Sequence, residues 1–192
     1  EDKINRNSLE ALAGAQQFAK KTSSDVTAIC FNPAISNQLL NYELSEILCI
    51  NSENLTTYNP LYYTTAMENI LNSECPDLFI LGHTYQARDW IPRLSARLDI
   101  PLVSDCIGIN EQNKIVTRQT YQGKINSDYS IDRMVLLSFQ SGCFRADSIT
   151  TGNSNIRQID LDLTSVENTI NPGEKFKESK GGVDLSRADI VV

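Results

Sequence analysis

Apolar and polar residues fall into blocks along this chain, and the period of those blocks predicts the elements. Ser8 reads as a helix N-cap, with Glu10 in the first turn where the helix dipole favours a carboxylate; Ala11, Leu12, Ala15, Phe18 and Ala19 then share one helical face. Ser23-Ser24-Asp25 ends that helix, and Val26 to Phe31 is a β-rich run. Asn32-Pro33 reads as a turn, Ile35 to Leu44 as a short helix, and Ile47 to Ile50 as a buried strand. After a polar loop from Asn51 to Pro60, Tyr63, Met67 and Ile70 form one stripe of a helix over Tyr62 to Leu71. Leu78-Phe79-Ile80-Leu81 is an unbroken apolar run, the pattern of a parallel strand covered on both faces. Ile91, Leu94 and Leu98 recur at helical spacing over Arg88 to Leu98, and Leu102-Val103 opens the next strand, completing a right-handed βαβ unit.

Helix and strand thus alternate through the first half, which predicts an α/β fold: an open, mostly parallel sheet with helices on both faces, Rossmann-type and adenine-nucleotide hydrolase-like. After Ile107 the texture changes. Ile115 to Tyr121, Arg133 to Phe139 and Asn155 to Leu163 read as strands without intervening helices, so an antiparallel extension of the sheet is expected, linked by the turn Tyr121-Gln122-Gly123-Lys124. Gly142 to Asn153 reads as an irregular loop, Thr164 to Val183 as a polar linker, and Ala188 to Val192 as a final apolar strand. A doubly wound sheet ordinarily starts with a central strand, whereas this chain starts with a helix and stops inside a strand. The expectation is a chain cut at both ends, its sheet carrying a gap or a substitute strand between Val26–Phe31 and Asp77–Leu81.

Composition narrows the function. The net charge of −7 over 192 residues, with the most basic stretch (Lys175 to Lys180) interrupted by Glu178, argues against a nucleic-acid partner. No run approaches a membrane span. Five scattered cysteines and a single histidine, with no Cys-x-x-Cys, read as buried free thiols in a reducing compartment rather than a disulfide or zinc framework.

Candidate chemistry is sparse. No Gly-x-Gly-x-x-Gly and no Gly-x-x-x-x-Gly-Lys-Ser/Thr occurs. The Ser179–Ser186 loop resembles the phosphate loop of ATP pyrophosphatases but lacks a preceding strand, and a linker is the better reading. His83 stands at the end of a parallel strand, where open α/β sheets bind ligands; with no nucleophile beside it, a hydrogen-bonded turn histidine is preferred over a catalytic one. Asp89 and Arg93 are spaced as an i,i+4 pair, and Arg88, Arg93 and Arg97 together have the means to hold a carboxylate, with Asp105 the expected partner of Arg93. No spacing supports a Ser-His-Asp, Cys-His or paired-carboxylate site, so no catalytic, metal or cofactor residue is assigned.

One resemblance covers nearly the whole chain. Phe79-Ile80-Leu81-Gly82, then Ala87-Arg88-Asp89-Trp90-Ile91-Pro92-Arg93-Leu94-Ser95-Ala96-Arg97-Leu98, then Val103-Ser104-Asp105 resemble the amino-terminal domain of electron transfer flavoprotein alpha subunits. Asn7 to Leu12, Arg118-x-x-Tyr121-x-Gly123 and Leu185 to Val192 are similar to further family segments in the same order. Ala87 stands where the family has glycine, and Gln140 to Phe144 replaces its Arg-Gly-x-x-Phe. The resemblance implies an amino-terminal domain over 1–163 whose first strand is missing, and a segment 164–192 leading into an absent FAD-binding domain. It implies a scaffold role without chemistry of its own: the domain supports the FAD domain and contacts the beta subunit, while the intact heterodimer takes electrons from dehydrogenases in the cytoplasm, or in the mitochondrial matrix of a eukaryote. FAD belongs to the full-length protein, with its site outside this chain. Arg88, Arg93, Asp105, Arg118, Tyr121 and Gly123 are the structural or interface candidates. The alternative is a nucleotide-binding enzyme of the same fold class, using the strand ends near Gly82, Ser104 and Asp105.

Overall fold

A computed structural model of the protein describes residues 3–173; the Ser179–Ser186 loop and the Ala188–Val192 strand lie outside the described residues. The first helix, α1 (Arg6–Thr22), starts earlier than expected, because Asn5 rather than Ser8 is the cap and its side chain accepts from the Asn7 N–H at 2.8 Å. Asn32-Pro33, expected as a turn, and Asn59-Pro60, at the end of the expected polar loop, are both helix starts. Asn32 caps α2 (Pro33–Leu39) and Asn59 caps α3 (Pro60–Glu74), each accepting from the N–H two residues on, while the proline fills the first helical position, where a missing N–H costs nothing. Thr84 caps α4 (Tyr85–Leu98) through the Ala87 N–H.

The strands form two sections. In the first, β1 (Thr27–Cys30), β2 (Glu46–Asn51) and β8 (Ile156–Asp160) lie side by side, all parallel. In the second the order is β3 (Leu78–Gly82), β7 (Val135–Phe139), β4 (Leu102–Asn110), β5 (Ile115–Thr120) and β6 (Ile125–Ser130). Strands β3, β7 and β4 are parallel, and β4, β5 and β6 form an antiparallel meander. The mostly parallel α/β fold with an antiparallel extension is therefore present, but the extension is narrower than expected. Only β5 and β6 belong to it, whereas β7 inserts parallel between β3 and β4, and β8 joins the first section parallel to β2. The interruption falls where the pattern placed it: β1 and β3 are edges of different sections.

Alternation along each strand shows how the sections are held together. Leu48 and Ile50 of β2, Phe79 and Leu81 of β3 and Leu136 of β7 face one layer, where Met67 and Ile70 of α3 and Trp90, Ile91 and Leu94 of α4 form a shared core. A run of ring contacts crosses the gap in that layer: Phe31 to Tyr63 at 4.6 Å, Tyr63 to Trp90 at 6.3 Å and Trp90 to Phe79 at 6.4 Å between centroids. On the other face, Ile47 and Cys49 pack with Leu39 of α2 and Leu12 of α1. The start of α1 also abuts the second section, since a Cβ on Gly82 would lie 2.8 Å from the backbone oxygen of Asn7.

That contact gives a stability test. Gly82→Ala is expected to lose about 1–3 kcal/mol in urea unfolding, because backbone on both sides must move. Gly108→Ala, with nothing within 4 Å of the added carbon, is expected to change stability by less than about 0.5 kcal/mol.

Candidate functional site

Ligands of open α/β sheets bind beyond the carboxyl ends of the parallel strands, and here a cavity of about 400 Å³ opens at the ends of β3, β7 and β4. Its polar lining is His83 just after β3, Ser138 on β7, Ser104 and Asp105 on β4, Arg118 on β5 and Arg88 in the first turn of α4.

A bulge in β4 turns Asp105 into this cavity. Val103 pairs with Leu137 and Cys106 with Phe139, so β4 carries one more residue than β7 across that step. In a regular strand Val103 and Asp105 would share a face. With the extra residue, Val103 and Cys106 both enter the apolar core under β7, and Ser104 and Asp105 are both left to the cavity. Asp105 takes a left-handed backbone with φ of 62°, a strained conformation for a non-glycine residue, and its N–H donates to Ser138 Oγ at 3.2 Å.

Ser138 orients the histidine. Its Oγ accepts from Asp105 and lies 2.9 Å from His83 Nδ1. The other ring nitrogen, Nε2, lies 3.6 Å from Asp105 Oδ1. The His83 N–H is tied to the Phe139 carbonyl at 2.7 Å. Burial lowers the His83 pKa below its ordinary value; the Arg88 and Arg118 cations lower it further, and Asp105 opposes them. The imidazole is neutral at pH 7.

The two arginines are not neutralised. Neither Arg88 nor Arg118 forms an ion pair among the described residues. Arg88 lies only over the Tyr85 ring, at 5.7 Å. Arg118 Nε is buried without a hydrogen-bond partner, an arrangement that costs about 1–3 kcal/mol.

Of the six structural or interface candidates, Arg88, Asp105 and Arg118 converge here, beside His83 and Ser104, whereas Arg93, Tyr121 and Gly123 do not line the cavity. Arg93 does not reach Asp105. It pairs with Asp89 at 3.4 Å, one turn back on the outer face of α4, because helical side chains lean toward the N-terminus while the bulge holds Asp105 toward His83. Arg97 bridges to Thr65 and Glu68 of α3, both at 2.9 Å. Tyr121 and Gly123 form the tip of the β5–β6 hairpin, where Tyr121, Gln122 and Gly123 have φ of 50°, 57° and 81°; Tyr121 is 76 % exposed.

Two features escaped the sequence reading. Ser138 hides inside an apolar run, where one polar residue looks incidental. Glu10 is not a solvated first-turn carboxylate: it is 3 % exposed, accepts from the Gly142 N–H at 2.7 Å, and pairs with Arg6 at 3.0 Å, tying α1 to the loop after β7. Burial pushes the Cys30 and Cys106 thiols up to about 12, whereas Cys75 is exposed rather than buried as the sequence suggested. Among the described residues no group of His, Cys, Asp and Glu could hold a metal ion, and no helix is long and apolar enough to cross a membrane.

Comparison with known proteins decides the family. The electron transfer flavoprotein domain matches residues 1–164. The chain belongs to the electron transfer flavoprotein family. The electron transfer flavoprotein subunit alpha of Bacillus subtilis is 33 % identical over 163 residues, covering 83 % of this chain and 50 % of the relative. Protein FixB of Clostridium saccharobutylicum is 24 % identical over 200 residues, covering 100 % of the chain and 60 % of the relative. The lactate dehydrogenase (NAD(+),ferredoxin) subunit LctC of Acetobacterium woodii is 22 % identical over 201 residues, 100 % of the chain and 48 % of the relative. The chain spans about half the length of these relatives. In this electron transfer flavoprotein domain, the segments that carry the family resemblance fold around the cavity: Arg88, Ile91 and Pro92 from the α4 motif, Ser104 and Asp105 from β4, and Arg118 from β5.

His83 is the only histidine, so one imidazole resonance reports on the cavity. Its NMR titration midpoint is expected below 6.5. Between that midpoint and 6.5 the unfolded chain binds more protons than the folded one, so stability falls as pH is lowered through this window; His83→Gln should flatten the fall in urea midpoints. Ser138→Ala, which strips partners from both His83 and the Asp105 N–H, is expected to cost about 1–3 kcal/mol in the same assay.

Proposed function

We propose that this chain is the amino-terminal scaffold domain of an electron transfer flavoprotein alpha subunit. It supports an FAD domain and docks on the beta subunit, and the assembled protein carries electrons from dehydrogenases. The observation that carries this reading is the family match over residues 1–164 together with relatives about twice as long, several of them named alpha subunits. In this reading residues 1–163 are the domain, a first strand precedes them, and 164–192 lead to the FAD-binding domain. The protein works in the cytoplasm, or in the mitochondrial matrix of a eukaryote.

The physical fit is good. A flavin needs a large apolar seat and dedicated phosphate donors, and the cavity at the strand ends is small and mainly polar. In this reading the contacts of His83 with Ser138 and Asp105 serve to orient the imidazole. The hairpin offers a docking element, with Tyr121, Ile125 and Tyr129 all exposed on a projecting two-stranded ribbon. Exposed aromatics of this kind anchor protein interfaces.

Mixing the 192-residue chain with FAD, followed by gel filtration, is expected to give colourless protein, whereas the beta subunit should co-elute with it. Stoichiometric yellow protein in the absence of any partner would overturn the placement of the flavin site. Tyr121→Ser is expected to weaken beta-subunit binding by about tenfold while leaving the urea midpoint unchanged.

A further inference from the structure

A scaffold has no use for the cavity at the strand ends as it is built. Arg88 and Arg118 line it without an ion pair, and Arg118 keeps a buried Nε unpartnered. The single carboxylate present, Asp105, is held beside His83 by a strained, bulged backbone. Two guanidinium cations, one carboxylate and a neutral imidazole leave the cavity with a net positive charge, on a domain whose overall charge is −7.

We propose that this cavity is a binding site for a small phosphate-bearing molecule, a phosphomonoester whose phosphate is gripped by Arg88 and Arg118. Guanidinium forks match phosphate oxygens in geometry and charge. The Ser104 hydroxyl, on the cavity wall, is a further donor. About 400 Å³ is more room than a phosphate group fills, and the apolar side chains of Ile91, Pro92 and Leu102 offer a wall for the organic remainder. The position is that of ligands in open α/β sheets generally. Phosphate oxygens would satisfy Arg118 and balance a charge that folding alone leaves open. A dianion there also faces His83, flanked by Asp105, Arg88, Arg118 and Ser138, and favours its protonated form. The site goes beyond the scaffold reading and stands or falls without it.

Titration of the whole chain with inorganic phosphate and with phenyl phosphate, followed through the one imidazole Cε1–H resonance and the arginine Nε–H resonances, tests the site. A saturable shift with both ligands, tighter for phenyl phosphate, and an upward move of the His83 midpoint on saturation are expected. Arg118→Gln should weaken binding by about tenfold or more. Arg88→Gln, at an exposed position, should do the same and serves if the Arg118 variant does not fold. Arg145→Gln, removing an exposed arginine paired with Asp147 elsewhere on the surface, should leave binding unchanged. Absence of a saturable shift at millimolar phosphate, or equal affinity in the Arg88 and Arg145 variants, would overturn the assignment.

Discussion

Two sections of sheet that share no strand pairing are held in one layer by the apolar faces of α3 and α4. Leu48 and Ile50 on one side and Leu136 on the other enter a single core with Met67, Trp90 and Leu94. Side-chain burial, worth about 25 cal/mol per Å² of apolar surface, does here what a ladder of hydrogen bonds does elsewhere in a sheet. It is a non-directional force, so it fixes proximity but not register. Register between the sections comes from more specific contacts: the ring series from Phe31 to Phe79 and the Arg97 bridge that locks α4 to Thr65 and Glu68 on α3. From the opposite face α1 closes the arrangement. Its first turn seats against Gly82, and Gly14 leaves room for the Phe144 ring.

The cavity inherits its geometry from that frame. Once β3, β7 and β4 are set in order, the extra residue in β4 decides which side chains meet. It sends Cys106 into the core in the place a regular strand would give Asp105, and it hands Asp105 to His83 and Ser138. One hydroxyl then meets one histidine nitrogen, one carboxylate faces the other, and burial, helped by two arginines, lowers the imidazole pKa. The constellation is thus a consequence of a single insertion in strand register, stabilised by the packing of Val103 on one side of it and Cys106 on the other.

Local signals were legible in the sequence and non-local ones were not. The apolar runs at β2 and β3 and the stripe on α4 declare themselves because burial on both faces or one face leaves a period in the residues. Asn32-Pro33 differs from its expected turn for a physical reason: the same two residues that suit a turn also suit an N-cap followed by a first helical position, and only the packing of α2 decides. Strand β6 was missed because Ile125 to Ser130 is almost wholly exposed and holds its place through pairing with β5 rather than burial. The parallel return of β7 has no local signature at all. Of the candidate residues, Arg88 stood out as one of several arginines on a helix and Arg118 only through the family resemblance, and their meeting with Asp105 depends on strand order and on a left-handed φ, neither of which a residue pattern encodes. The Asp89–Arg93 pair was legible from its i,i+4 spacing, whereas Asp105 as a partner for Arg93 was not realised.

Strand β5 joins the roles assigned to this domain. Val116 is fully buried in the core with Cys106 and Leu137, and Arg118, two residues on, lines the cavity. Tyr121 then carries the chain out to the exposed tip. The hairpin beyond Arg118 is largely exposed, and a two-stranded ribbon is marginal alone. Its rigidity must come from its root, where Val116 supplies apolar anchorage and β4 supplies hydrogen bonds at Cys106 and beyond. The buried, unpartnered Nε of Arg118 is the weak point of that root. Whatever satisfies Arg118 steadies the strand from which the hairpin projects, so the charge left open in the cavity and the surface offered to a partner are mechanically continuous.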